Sequence, residues 1–119
     1  MATPEDNVPA CLTDGTELGV AAANMYASPA APGVGTRITK ICFVNTSGGA
    51  QTIRLWHTPN VAVANRYALA FDITIPGDGW PVDLPAMNGI ILDVDDEIWA
   101  LCSAAASVNI FIYGIEMNP

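Results

Sequence analysis

Residues 89–117, GIILDVDDEIWALCSAAASVNIFIYGIEM, hold three apolar runs, at 90–94, 98–102 and 108–115. Only an acidic turn at Asp95 and Asp96 and a small-residue turn over 104–107 separate them. Runs of this length, rich in Ile and Val and broken by turn chemistry, read as successive antiparallel strands of a sandwich or small barrel. The run 108–115 is apolar at almost every position, whereas a strand in a sheet with one wet face alternates. Both of its faces are therefore expected to be covered, by a second sheet or by a neighbouring subunit.

Upstream, turn signals recur about every ten residues. The segment TRITKICFVN (36–45) is a strand, NTSGG a turn, and 52–57 a returning strand with Ile53 and Leu55 on one face and Arg54 and Trp56 on the other. The two strands read as a hairpin. Residues 57–65 form a longer connection. Tyr67, Leu69, Phe71, Ile73 and Ile75 then alternate with Ala68, Ala70, Asp72 and Thr74, which places the first set in the core and the second outside. Residues 64–70 could instead form a helical turn, since β-branching enforces a strand only from Ile73. Residues 80–84, hemmed by Pro76, Pro81 and Pro85, suit an edge strand because proline cannot donate to a ladder. Residues 17–26 make a weak first strand, with an Ala-rich helix as the competitor. Residues 28–35 are a loop. The expected fold is an all-β antiparallel sandwich of seven or eight strands, jelly-roll or Greek-key in connection.

The 119 residues make one domain, able to bury a complete core without metal or disulfide staples. It is divided into an irregular N-terminal arm, residues 1–16, and a sandwich, residues 17–119. The arm has two prolines, several acids and no apolar period, yet it keeps Val8, Cys11 and Leu12. Those three are the candidate partner-binding residues, ordering against a neighbour.

Charged residues make up 13% of the chain and hydrophobic residues 51%, with a mean hydropathy of +0.35. A surface so poor in charge favours assembly over a free monomer. The net charge is −8, and Arg37, Lys40, Arg54 and Arg66 are scattered singly, so direct binding of nucleic acid or of an anionic membrane is not expected. No run is long enough for a spanning helix. The opening MATPEDNVPA lacks the basic and apolar regions of a secretory signal. Cys11, Cys42 and Cys102 form no CxxC, and Cys42 and Cys102 sit in strand-like runs as small buried hydrophobes, in keeping with a reducing cytoplasm.

Catalytic chemistry has little to build on. His57 is the single histidine and sits at a strand end, and no nucleophile elbow or phosphate-cradling glycine loop is present. The cluster Asp93, Asp95, Asp96, Glu97 lacks the spacing of a calcium loop and suits a tight turn. The expectation is a non-enzyme with no cofactor and no metal. Trp56, Trp80 and Trp99 could form a stacking platform, although packing is the stronger reading for at least two of them.

The order ITKICFVNTSGGAQTIRLW, ANRYALAFDITIPGDGWPVDL and GIILDVDDEIWALCSAAASVNIFIYGIEM, spanning residues 38–117, resembles the small virion structural proteins of tailed bacteriophages and related gene-transfer particles. Asp95 departs from the pattern, which has Gly before Asp96. The resemblance implies a small sandwich attached to the particle as head decoration, head-fibre base or tail component. It would be made in the bacterial host cytoplasm and would self-associate, a trimer being the favoured form, against capsid or tail-adaptor partners. No catalytic residue carries over. The alternative is a carbohydrate-binding module for host attachment, using the tryptophans and the loop 57–65.

Overall fold

The computed structural model describes residues 10–59 and 67–117. Nine strands fill most of them: β1 (Ala10–Glu17), β2 (Ala23–Ala27), β3 (Gly35–Asn45), β4 (Gln51–Thr58), β5 (Tyr67–Ile75), β6 (Val82–Asp83), β7 (Ile91–Leu92), β8 (Glu97–Cys102) and β9 (Val108–Met117). The only helical element among the described residues is a 3-10 turn, Pro85–Met87.

Two antiparallel sheets pack face to face. One runs β1-β9-β3-β6, with β7 also paired to β3, and the other runs β2-β8-β4-β5. The pairs β1 with β9, β2 with β8, β3 with β6 and β4 with β5 are nested, each enclosing the next in sequence. This is a jelly roll: one long hairpin wrapped so that successive strands cross between sheets. The inner faces supply the core, where Ile38, Ile41, Phe43, Ile53, Leu55 and Ile112 are fully buried.

The all-β sandwich of the sequence reading is the fold observed, with nine strands against seven or eight. The added strand is β1. Residues 10–16, expected within an irregular arm, instead form most of β1, which pairs with β9 from Ala10↔Gly114 to Glu17↔Asn109. Its backbone finds a ladder that no apolar period announces, because the register slips at Leu12 and Gly15. Residues 1–9 lie outside the described residues. The segment 17–26 is likewise not one strand. Leu18 turns into the core at 1% exposure, its N–H donating to Val108 O, and the chain crosses to begin β2 at Ala23.

The expected hairpin of residues 36–45 and 52–57 does not form. β3 lies in one sheet and β4 in the other, so NTSGG is a corner between sheets. Asn45 builds the corner: its Nδ2 donates to Gly49 O and Ile75 O, and its Oδ1 accepts from Ser47 N and Oγ. Gly77 backs onto this corner so closely that a Cβ would stand 2.4 Å from Gly49 N. The three C-terminal runs are not mutual neighbours either, since β7 joins β3, β8 sits between β2 and β4, and β9 sits between β1 and β3.

Within β5 the expected alternation fails at its centre. Leu69 and Asp72 are each skipped in the pairing with β4, and Asp72 has φ 55°. Each bulge inverts the phase of the strand. Ala70 and Ile75 are buried, while Phe71, assigned to the core by period two, is 54% exposed.

Candidate interaction surface

On the outer face of the four-stranded sheet large side chains gather, Trp56, Trp99 and Leu101 half-buried and Phe71 exposed. On β4 and β8 the period-two pattern sends Ile53, Leu55, Ile98, Ala100 and Cys102 inward. Trp56 and Trp99 then meet across the ladder, beside Arg54 and Leu101, which are also opposite each other. The bulge at Asp72 brings Phe71 onto this face. The Arg54 guanidinium stacks 3.9 Å above the Phe71 ring, and Nε and Nη2 reach Asp72 Oδ1 and Oδ2 at 2.8 and 3.3 Å. Hydrogen bonding from Arg54 lowers the Asp72 carboxyl below its ordinary range, and the same bond raises the guanidinium. At the opposite corner Glu97 accepts from Trp99 Nε1 at 2.7 Å and from Asn24 Nδ2 at 3.0 Å, which fixes the indole edge. Aromatic rings with one arginine are the composition of protein-binding hot spots.

One end of the sandwich carries a buried polar network. His57 Nε2 and the Asp93 N–H both donate to Asp96 Oδ2, at 3.0 and 3.1 Å. Asp96 is 8% exposed and is tied by its backbone to the β2–β3 loop, Ser28 N donating to Asp96 O and Asp95 N to Ser28 O. From Ser28 three hydroxyls, those of Ser28, Thr36 and Tyr26, form a chain to Glu116. Tyr26 gives its proton to Glu116 Oε2, so it accepts from Thr36, which accepts from Ser28. Burial first, then the Glu116 bond, pushes the Tyr26 hydroxyl well above its ordinary value. The network joins the two sheets. The His57 ring is engaged by Asp96 and stands edge-on to Tyr67 at 6.5 Å.

Among the expected site residues, Val8 lies outside the described residues. Leu12 packs against the core, its Cδ1 filling the space that a Cβ on Gly114 would need. It therefore serves the sandwich's own packing. Cys11 is exposed, with its thiol toward Thr13 O at 3.4 Å. Cys42 and Cys102 are buried, and burial raises the Cys42 thiol. The acidic cluster resolves into a turn in which Asp95 takes φ 65°, the left-handed conformation that a glycine at that position would supply. Among the described residues no three His, Cys, Asp or Glu side chains converge as metal ligands, and no helix is long and apolar enough to cross a membrane. Trp80 stands 73% exposed in the loop before β6, apart from the Trp56–Trp99 pair. Arg54, Phe71 and Asp72 are the surface residues the sequence reading did not bring together; the signal was an acid inside an otherwise apolar alternation.

No protein-family model, no curated protein and no solved structure matches this chain.

Proposed function

We propose that the chain is a structural, self-associating component of a tailed-phage particle, made in the bacterial host and carried on the virion as head decoration, fibre base or tail element. The observation behind self-association is the outer face of the four-stranded sheet, where Trp56, Trp99, Leu101 and Phe71 are arrayed on a chain with few charges. The virion setting rests on the likeness of residues 38–117 to such proteins, and jelly rolls do serve as capsid domains. The threefold form rests on that likeness alone. The test is twofold: light scattering of the purified protein across micromolar concentrations, and immunogold labelling of purified particles. Oligomers and labelled particles support the proposal. A monomer throughout, with unlabelled particles, removes it.

A second reading has an observation of its own. Jelly rolls also serve as lectins, and Trp56 and Trp99 side by side offer a surface on which a sugar ring could stack. Saturable change of tryptophan emission on titration with cell-surface oligosaccharides would favour it.

A further inference from the structure

Asn88-Gly89 is the single Asn-Gly step of the chain. It is exposed and lies between the 3-10 turn Pro85–Met87 and β7. In a free chain such a step modifies itself, which makes asparagine a thermolabile residue. The Gly89 nitrogen, unshielded by any side chain on its own residue, attacks Asn88 Cγ. The N–Cγ bond forms, the Cγ–Nδ2 bond breaks, and ammonia leaves with the proton that the Gly89 nitrogen gives up. Water then opens the resulting succinimide at either carbonyl, which yields an aspartate or a β-linked isoaspartate.

The folded chain opposes each requirement of that reaction. The attacking nitrogen must be free, but the Gly89 N–H donates to Ile38 O at 2.7 Å. A five-membered ring also needs that nitrogen to eclipse Cβ about the Asn88 Cα–C bond. Asn88 is instead extended, with φ −68° and ψ 128°, which turns the nitrogen well out of that plane. The arrangement is held from both sides. Ile38 N donates to Ile90 O at 2.8 Å, Asn88 N donates to Pro85 O at 3.1 Å, and Met87 and Leu92 are buried. The same turn explains why the reactive step is there. Gly89 has φ 89° and a Cβ on it would meet nothing within 4 Å, so the backbone angle rather than space calls for glycine.

We propose that Asn88 is a latent self-modification site: the succinimide forms when the segment 85–92 lifts off β3, and the bond from Gly89 to Ile38 holds the reaction back in the folded chain. The product adds a carboxylate to an already acidic molecule. The isoaspartate also adds a backbone carbon beside the ladder to β3, so a modified segment docks again poorly. The modification therefore records opening of this edge, whatever the chain assembles with.

The test follows the Asn88 peptide by mass after the full-length protein has been kept at mildly alkaline pH, in buffer and in urea. In urea the amide should turn to acid, and in buffer it should do so at least about tenfold more slowly, as for a segment that opens only locally. Asn88→Gln should stop the reaction in that peptide. Met87→Ala removes a buried anchor of the segment and should speed the reaction in buffer more than Ile53→Ala, which empties a buried site in the other sheet. Should either variant fail to unfold cooperatively, the parent below its urea midpoint reads the same distinction: a rate above what the unfolded fraction supplies marks local opening. No conversion in urea overturns the site, and equal rates in urea and buffer overturn its protection by the fold. Equal acceleration by the two variants, or a rate that tracks the unfolded fraction, overturns the local opening.

Discussion

In β9, Ile110 and Ile112 point inward and Phe111 and Tyr113 outward in an alternation unbroken from Val108 to Ile115, whereas β5 loses its alternation twice in nine residues. Both strands look apolar in sequence. β9 is held on both sides, by β1 and β3, and the irregularities in those pairings fall on its neighbours. Among the described residues β5 is an edge, held only by β4, and absorbs its own slips. Period two is thus a property of a ladder as much as of a strand: a strand fixed from two sides keeps its phase, and one fixed from a single side can spend a residue to aim a side chain elsewhere.

The contrast can be broken at its strongest point first. Ile112→Ala empties a fully buried site in β9 and should lower the unfolding free energy by about 2–5 kcal/mol in urea titrations. A loss near zero would mean that β9 does not face the core as described. Next comes the polar partner at the far end of β9. Tyr26→Phe deletes the hydroxyl that bonds Glu116 and should cost about 1–2 kcal/mol at neutral pH. Because the Tyr26 pKa is raised in the folded state, its contribution is complete below the unfolded value of 10.0 and is lost as pH rises beyond it. The parent should therefore lose stability above about pH 10, and Tyr26→Phe should make that decline shallower. An identical alkaline slope in both proteins would show the hydroxyl to be unimportant.

On β5 the effects shrink. Phe71→Ala should change stability by less than about 1 kcal/mol in a monomeric background, since the ring is largely in water. A core-sized loss would restore the uninterrupted alternation. The finest test is the order of melting temperatures at Asp72. Gly accepts a φ of 55° and Val does not, so Asp72→Gly should melt above Asp72→Val. The reverse order would mean that the bulge is not fixed by backbone conformation.

Several elements were legible because their chemistry is local. β4 follows from alternating residues, β8 from a short apolar run bounded by turns, and the rim position of β6 from its flanking prolines. The pairing of strands was not legible. NTSGG is equally good turn chemistry for a hairpin and for a corner between sheets, and only the demand that β3 sit beside β9 decides between them. β1 was hidden because an edge strand with two bulges has no period to read. The His57–Asp96 bond and the Tyr26–Glu116 bond join residues remote in sequence and brought together by the wrapping, so His57 and the acidic turn could be noticed separately but not as one network. The candidate face was half visible: Trp56 and Trp99 could be named, whereas Phe71 reaches them only through a bulge.

The nesting of the strands also sets an order in time. As the chain leaves the ribosome, β4 and β5 can pair almost as soon as both are made. β1 is the first of the nine strands to appear, and its ladder partner, β9, is the last. Such long-range closures are slow to form. During that wait β1 is a bare strand in a crowded cell, and sequences that pair readily with any passing edge are a danger there. The residues that bulge β1 in the finished sheet, Leu12 and Gly15 among them, also make it a poor template for an even ladder. The irregularity that hides this strand from a sequence reader would hide it equally from other nascent chains.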